Sequence, residues 1–203
     1  VVSEHPSLAA RRSKVNAREA QSISPSDRLK PMMEVNWYDA VIFCNRLSER
    51  CGLVPWYEAI DFGDLDEFGK LKEGKQIPGV RAGGGNGYRL ASEREWEWAC
   101  RAGSRRSWSF GGDPLRLSDY AAFNAGTTSD VAAQCPAGNG VFDMHGNAYE
   151  WLEDLEENST SRVLRGGSFG SSNPDDLRSA IRYNYSPDFR GSYFGGFRIS
   201  RTK

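Results

Sequence analysis

Residues Phe142-Asp-Met-His-Gly-Asn-Ala-Tyr-Glu-Trp151 form the densest run of chemically distinctive side chains in the chain. Gly146-Asn147 marks a tight turn, because glycine takes positive φ at no steric cost and asparagine bonds its own backbone. Asp143 and Glu150 bracket that turn, and Trp151 follows it. Two carboxylates beside turn carbonyls suit a hard cation such as Ca2+. The same residues also read as a turn braced by Asn147 beside a buried Trp151, with no ion. The pattern leaves both readings open.

Outward from this turn the chain changes character. Upstream, Asn36 is a good N-cap with Asp39 in the following turn, and Ala40, Phe43, Cys44, Leu47 and Cys51 recur at helical spacing up to Gly52. Ser92-Glu-Arg-Glu95 is a capping box that opens a second helix, with Trp96, Ala99 and Cys100 as its apolar stripe and Gly103 as its close. Downstream, Val163-Leu164, Ala180-Ile181 and Phe197–Ile199 are short strand candidates among Gly- and Ser-rich loops. Two helices followed by short strands and long loops predict an α+β domain. Residues 1–31 read as an irregular N-terminal arm and 32–203 as one domain. Residues 53–86 read as a long excursion whose glycines lack the Lys-Ser/Thr of a phosphate-binding loop.

The composition narrows the function classes. A chain of 203 residues buries a core without disulfide or metal staples. A formal net charge of −1 argues against a dedicated nucleic-acid binder. Residues 162–203 carry +5 and the remainder −6, but arginines spread through Gly/Ser loops read as structural forks more readily than as a polyanion site. No apolar run reaches the roughly 18 residues of a membrane span, and residues 1–14 have no leader pattern, so cytoplasmic and cell-surface placement both stay open. Cys44, Cys51, Cys100 and Cys135 match no zinc spacing and read as buried thiols more readily than as disulfides, which leaves the redox compartment open. The 22 glycines and 24 aromatics (6 Trp, 8 Tyr, 10 Phe) signal a loop-rich, aromatic-stapled fold. Catalytic constellations are scarce. His5 and His145 are the only histidines, and neither a G-x-S-x-G elbow nor an H-E-x-x-H pair is present. His145 reads as a polar turn residue.

Five motifs in order carry a family likeness: Val35-Asn-Trp-Tyr-Asp-Ala40, Gly87-Tyr-Arg-Leu-Ala-Ser-Glu-Arg-Glu-Trp-Glu-Trp-Ala99, Phe142 to Trp151, Arg162-Val-Leu-Arg-Gly-Gly-Ser168 and Gly196-Phe-Arg-Ile-Ser200. Together they resemble the formylglycine-generating-enzyme (sulfatase-modifying factor) domain, a branch of the C-type lectin fold. The resemblance implies a structural Ca2+ held by the Asp143 and Glu150 side chains and the Gly146 and Ala148 carbonyls. That enzyme is a copper oxidase using two cysteines five residues apart, and the matching positions here are Pro174 and Ser179, neither of which supplies a thiolate. The resemblance therefore implies a relative without that activity and no catalytic residues.

The tail from Arg165 to Arg198 resembles the variable region of diversity-generating retroelement proteins, ligand-binding proteins on a C-type lectin fold. Their surface is rewritten by adenine mutagenesis, often of AAC codons, and the codons so reached never encode Trp, Lys, Glu, Gln or Met. Residues 169–195 contain none of those five types, whereas 32 of the other 176 residues do, a rate that would put about five in the window. Ser, Gly, Asn, Tyr and Phe make up 16 of these 27 residues, a composition close to that of antibody paratopes. The expected exposed, variable set is Phe169, Gly170, Ser171, Ser172, Asp176, Ile181, Tyr183, Asn184, Tyr185, Ser186, Phe189, Gly191, Ser192, Tyr193, Phe194 and Gly195. Arg178, Arg182, Arg190 and Arg198 are expected to be structural. A protein ligand, no nucleic acid and no required cofactor are implied. On this reading, alanine at Tyr183, Tyr185 and Tyr193 removes binding and leaves the melting temperature nearly unchanged. The rival readings are an oxidase-like modifying factor or an inactive relative of it, and a carbohydrate-binding lectin. The last lacks the Glu-Pro-Asn or Gln-Pro-Asp sugar motif.

Overall fold

The computed structural model describes residues 28–58, 83–191 and 195–202. Most of the expected N-terminal arm and of the 53–86 excursion therefore lies outside the described residues.

Helix α1 runs Trp37–Arg50 and starts where expected. Asn36 accepts from the Asp39 amide, and Asp39 reciprocates, which satisfies two donors at the helix start. Its buried residues are Trp37, Tyr38, Ala40, Val41, Cys44 and Ser48, a face rotated from the stripe read in the sequence. Phe43 is 48% exposed and meets Phe197 edge-on at 5.3 Å. The rotation has a polar cause. Ser48 Oγ donates to the Cys44 carbonyl and accepts from the Tyr88 amide, so a serine turns inward. Helix α2 spans Glu93–Arg101 behind the Ser92–Glu95 capping box, with Trp96 and Cys100 buried. A four-residue helix α3, Leu117–Tyr120, adds a third helix that the sequence reading lacked.

The central sheet has the order β6-β5-β4-β7, with β4 at Glu150–Leu155, β5 at Arg162–Arg165, β6 at Arg182–Tyr185 and β7 at Gly196–Phe197. β4–β5 and β5–β6 are antiparallel and β4–β7 is parallel. Two small pairs flank it: β1 (Arg89–Leu90) with β8 (Ile199–Ser200), and β2 (Ala121–Ala122) with β3 (His145–Gly146). Ala180-Ile181 is not a strand; the ladder begins one residue later at Arg182. The Arg165 guanidinium takes the Ile181 and Ser179 carbonyls at 2.9 and 2.8 Å, binding that backbone by side chain instead of by ladder.

Because strand residues alternate faces, the sheet presents two different surfaces. Trp151, Leu164, Tyr183 and Tyr185 pack on the α1 side with Trp37, Val41 and Cys44. Leu152 and Val163 pack on the α2 side with Trp96 and Cys100. The sheet thus lies between the two helices. A third cluster joins Trp108, Leu117, Ala121 and Leu177.

A backbone-held surface over the central sheet

Segment 169–191 is held to the rest of the molecule chiefly through its main chain. The Phe169 amide donates to the Asn147 carbonyl at 2.9 Å, and the Phe169 and Ser171 carbonyls accept from the Ala125 and Asn124 amides, each at 2.8 Å. The Leu177 carbonyl accepts from His145 Nδ1 at 2.8 Å, and the Ser179 amide donates to the Ser107 carbonyl at 2.8 Å. Beyond the Arg165 fork, the Pro187 carbonyl caps α1 through the Trp37 amide at 3.0 Å. The Gly195 carbonyl receives the Val35 amide at 3.1 Å. None of these bonds uses a side chain of the segment.

The expected surface residues divide. Gly170, Ser172, Asn184 and Ser186 are exposed, while Asp176, Ile181, Tyr183, Tyr185, Phe189 and Gly191 are half-buried. Three positions are corrections. Phe169 and Ser171 are buried at 6% and 8% exposure, because their backbones are clamped against 124–125 and 147. Gly195 is buried at φ +88, where an added Cβ would sit 2.4 Å from the Val35 carbonyl oxygen. Ser192, Tyr193 and Phe194 lie outside the described residues.

Tyr183 and Tyr185 belong to the α1 face of the sheet and pack against the core. The Tyr183 ring meets Tyr149 at 5.2 Å, and its hydroxyl bonds with Tyr149 and Asp176. Burial first, then the Tyr149 hydroxyl and the Asp176 carboxylate, push the Tyr183 phenol well up. Ser171 bonds the same Tyr149 hydroxyl, so four side chains form one polar cluster beneath the surface. Tyr185 stacks on Phe189 at 4.6 Å.

The arginines are structural, as expected. Arg182 pairs with Glu93 at 2.8 Å and Glu156 at 3.1 Å, Arg190 with Asp39 at 2.6 Å, and Arg178 with Asp175 at 2.6 Å. Arg165 sits between Glu93 and Glu97, and Arg101 pairs with Glu97. The result is an alternating chain, Glu156–Arg182–Glu93–Arg165–Glu97–Arg101, tying β6 to α2 through β5.

The expected calcium donors have partners within the protein. The Glu150 carboxylate is taken by Arg198, through Nε at 3.0 Å and Nη2 at 2.7 Å, and by the Trp96 indole N–H at 2.7 Å. Asp143 Oδ2 accepts from the Ala132 amide at 2.7 Å, and the Gly146 carbonyl accepts from the Ala148 amide at 2.9 Å. Glu150 thus has its positive partner in Arg198. The turn itself forms as read: Asn147 is buried at φ +63, and Trp151 is fully buried.

His145 is another correction. It is a buried core residue and not a turn residue, 2% exposed. Its Nδ1–H donates to Leu177, and Nε2 accepts from Ser109, an assignment that follows from the carbonyl partner. Cys100 lies 3.9 Å from the ring, a proximity the sequence spacing did not reveal. Burial pushes the thiol up to about 12 and the imidazole down to about 4. Both groups are neutral near pH 7, so the pair is not a thiolate–imidazolium nucleophile. Ser179 is fully buried.

A family model described as the sulfatase-modifying factor enzyme 1-like domain matches residues 3–203. Variable protein 1 of Treponema denticola superposes with a TM-score of 0.72 at 29% identity, covering 88% of this chain and 73% of that one. The CarF crystal structure superposes with a TM-score of 0.68 at 26% identity, covering 96% and 82%. A Paenibacillus barcinonensis relative named chaperone protein LppX is 27% identical over 206 residues, 86% of this chain and 70% of its own.

Proposed function

The chain belongs to the sulfatase-modifying factor enzyme 1-like domain family, in its α+β C-type-lectin-like form, and from that premise we propose that it is a non-catalytic binding protein whose 169–191 surface accepts sequence variation. One observation carries the reading: the segment is fixed by bonds to its own backbone carbonyls and amides. Backbone bonds survive a change of side chain, so exposed positions can be rewritten while the loop path stays. Similarity to a variable protein supports the same reading, as does the absence of Trp, Lys, Glu, Gln and Met from 169–195. The ligand is a protein in this reading, met by small polar residues and aromatic rings.

The enzyme alternative rests on the family name and on Cys100 beside His145. The neutral state of both groups, and Pro174 and Ser179 at the oxidase cysteine positions, argue against it.

The test is a pooled substitution scan of residues 169–191 read by folding, for example protease resistance on a display platform. Free substitution at Gly170, Ser172, Asn184 and Ser186, with Ser171 and Phe169 restricted, is the expected outcome. Intolerance at the four exposed positions sinks the proposal. Incubation with Cu(I), oxygen and a cysteine peptide is expected to leave the peptide unchanged, and formylglycine in it would restore the enzyme.

A further inference from the structure

Nine residues of 169–191 are exposed and nine more half-buried, and a protein interface of ordinary size takes about 20–30 residues on each side. A protein seated on this segment must therefore also touch its neighbours, and the structure identifies the nearest. We propose that the loop Asn124–Thr127 is a fixed part of the ligand-contact surface, engaging protein partners whichever residues the segment carries. The inference rests on the binding reading above.

Asn124, Ala125, Gly126 and Thr127 are all exposed. The Asn124 amide reaches the Ser171 carbonyl and the Ala125 amide reaches the Phe169 carbonyl, both at 2.8 Å, one rung on each side of exposed Gly170. The two loops also share an internal brace. Buried Asn147 donates its amide to the Ala122 carbonyl at 2.8 Å, accepts the Ser129 amide on Oδ1 at 3.1 Å and accepts the Phe169 amide on its carbonyl. A group resting on Gly170 or Ser172 thus meets 124–127 at a fixed separation.

The chemistry fits a protein partner. The four residues are small and uncharged, and they lose little side-chain entropy on contact. Val131 and Leu29, 48% and 59% exposed and joined by a 2.7 Å backbone bond, add apolar area beyond the loop. The arginines of the segment are all paired within the molecule, at Asp175, Glu93, Glu156 and Asp39, which disfavours a polyanion.

The experiment separates this inference from the reading beneath it. A display library randomised at Gly170, Ser172, Ile181, Asn184 and Ser186 is selected against one probe protein, lysozyme. Ala125→Arg and Thr127→Arg are then placed separately in several independent binders. At least about a tenfold rise in Kd for lysozyme in most binders is expected, with the melting temperature within about 2 °C. Unchanged Kd in the folded arginine variants overturns the loop's role and leaves the reading standing. A folded library that yields no lysozyme binder overturns both. If Thr127→Arg unfolds, Ala125→Arg decides.

Discussion

Replacing Arg165 by methionine isolates what holds the surface in place. Its side chain is 3% exposed and donates four ways, to Glu93, Glu97 and the Ser179 and Ile181 carbonyls. Methionine keeps the apolar stem and deletes the fork. Glu93 still has Arg182 and Glu97 still has Arg101, so neither carboxylate loses its last cation. The orphans are two carbonyls. A buried polar group without its partner costs about 1–3 kcal/mol. Ser179 is fully buried and Ile181 half-buried, so water relieves the second more than the first. About 3–4 kcal/mol results, short of the full cost of two completely buried orphans. At about 2–4 °C per kcal/mol for a domain of this size, the melting temperature should fall by roughly 6–16 °C. Urea unfolding gives the free energy, and hydrogen exchange should show the largest gain over 179–185. The control is a triple variant, Ser172→Ala, Asn184→Ala and Ser186→Ala, which should cost under about 1 kcal/mol because all three are exposed. Arg165→Met within about 1 kcal/mol of wild type, or a triple variant as costly as Arg165→Met, would refute the claim that backbone bonds hold the segment.

Four further outcomes follow from the geometry. Tyr183→Ala should cost about 2–3 kcal/mol by losing a ring packed on Tyr149, and Tyr183→Phe about 1 kcal/mol by losing the hydroxyl, both measured by denaturant unfolding. Gly195→Ala should cost more than about 2 kcal/mol, since φ is +88 and Val35 blocks the methyl; equal stability would mean the local backbone relaxes freely. His145 is held neutral with its folded pKa near 4, against 6.5 unfolded, so the unfolded state binds the extra proton between these values. Its contribution is complete above pH 6.5 and is lost toward pH 4, by about 3 kcal/mol, and His145→Gln should flatten the pH–stability profile across that window. Glu150→Gln should lower the melting temperature equally in calcium and in chelator, because the carboxylate's partner is Arg198; a loss confined to calcium-containing buffer would reinstate the ion.

The two longer helices were legible because their signals are local. Asn36 with Asp39 and Ser92 with Glu95 fix a helix start within four residues. The arrangement on α1 was less legible: hydropathy favoured Phe43 as an inward residue, while Ser48 faces in by satisfying two backbone groups. Such a long-range bond, from residue 88 to residue 48, has no periodicity to reveal it. The same holds at the surface. Composition marked 169–195 as distinct, yet Phe169, Ser171 and Gly195 are set by contacts with residues 124, 125, 147 and 35. The tyrosines deceived for a related reason. Alternation along β6 could not be phased from Arg182-Tyr-Asn-Tyr185 alone, and pairing with Leu164 and Arg162 puts both rings on the core side. The ion pair of Glu150 was not legible because its partner, Arg198, lies 48 residues away in sequence.

That phasing of β6 limits the kind of change the surface can absorb. Arg182 and Asn184 face α2 while Tyr183 and Tyr185 face α1, and a shift of one residue would exchange the two sets. Arg182 would then leave Glu93, and a tyrosine would meet the ion chain in its place. Between the clamp at Ser179 and the cap at Pro187 the chain has a fixed length to spend. An insertion or deletion of even one residue between Ser179 and Pro187 would therefore exchange the two faces of β6, whereas a substitution leaves their phase unchanged.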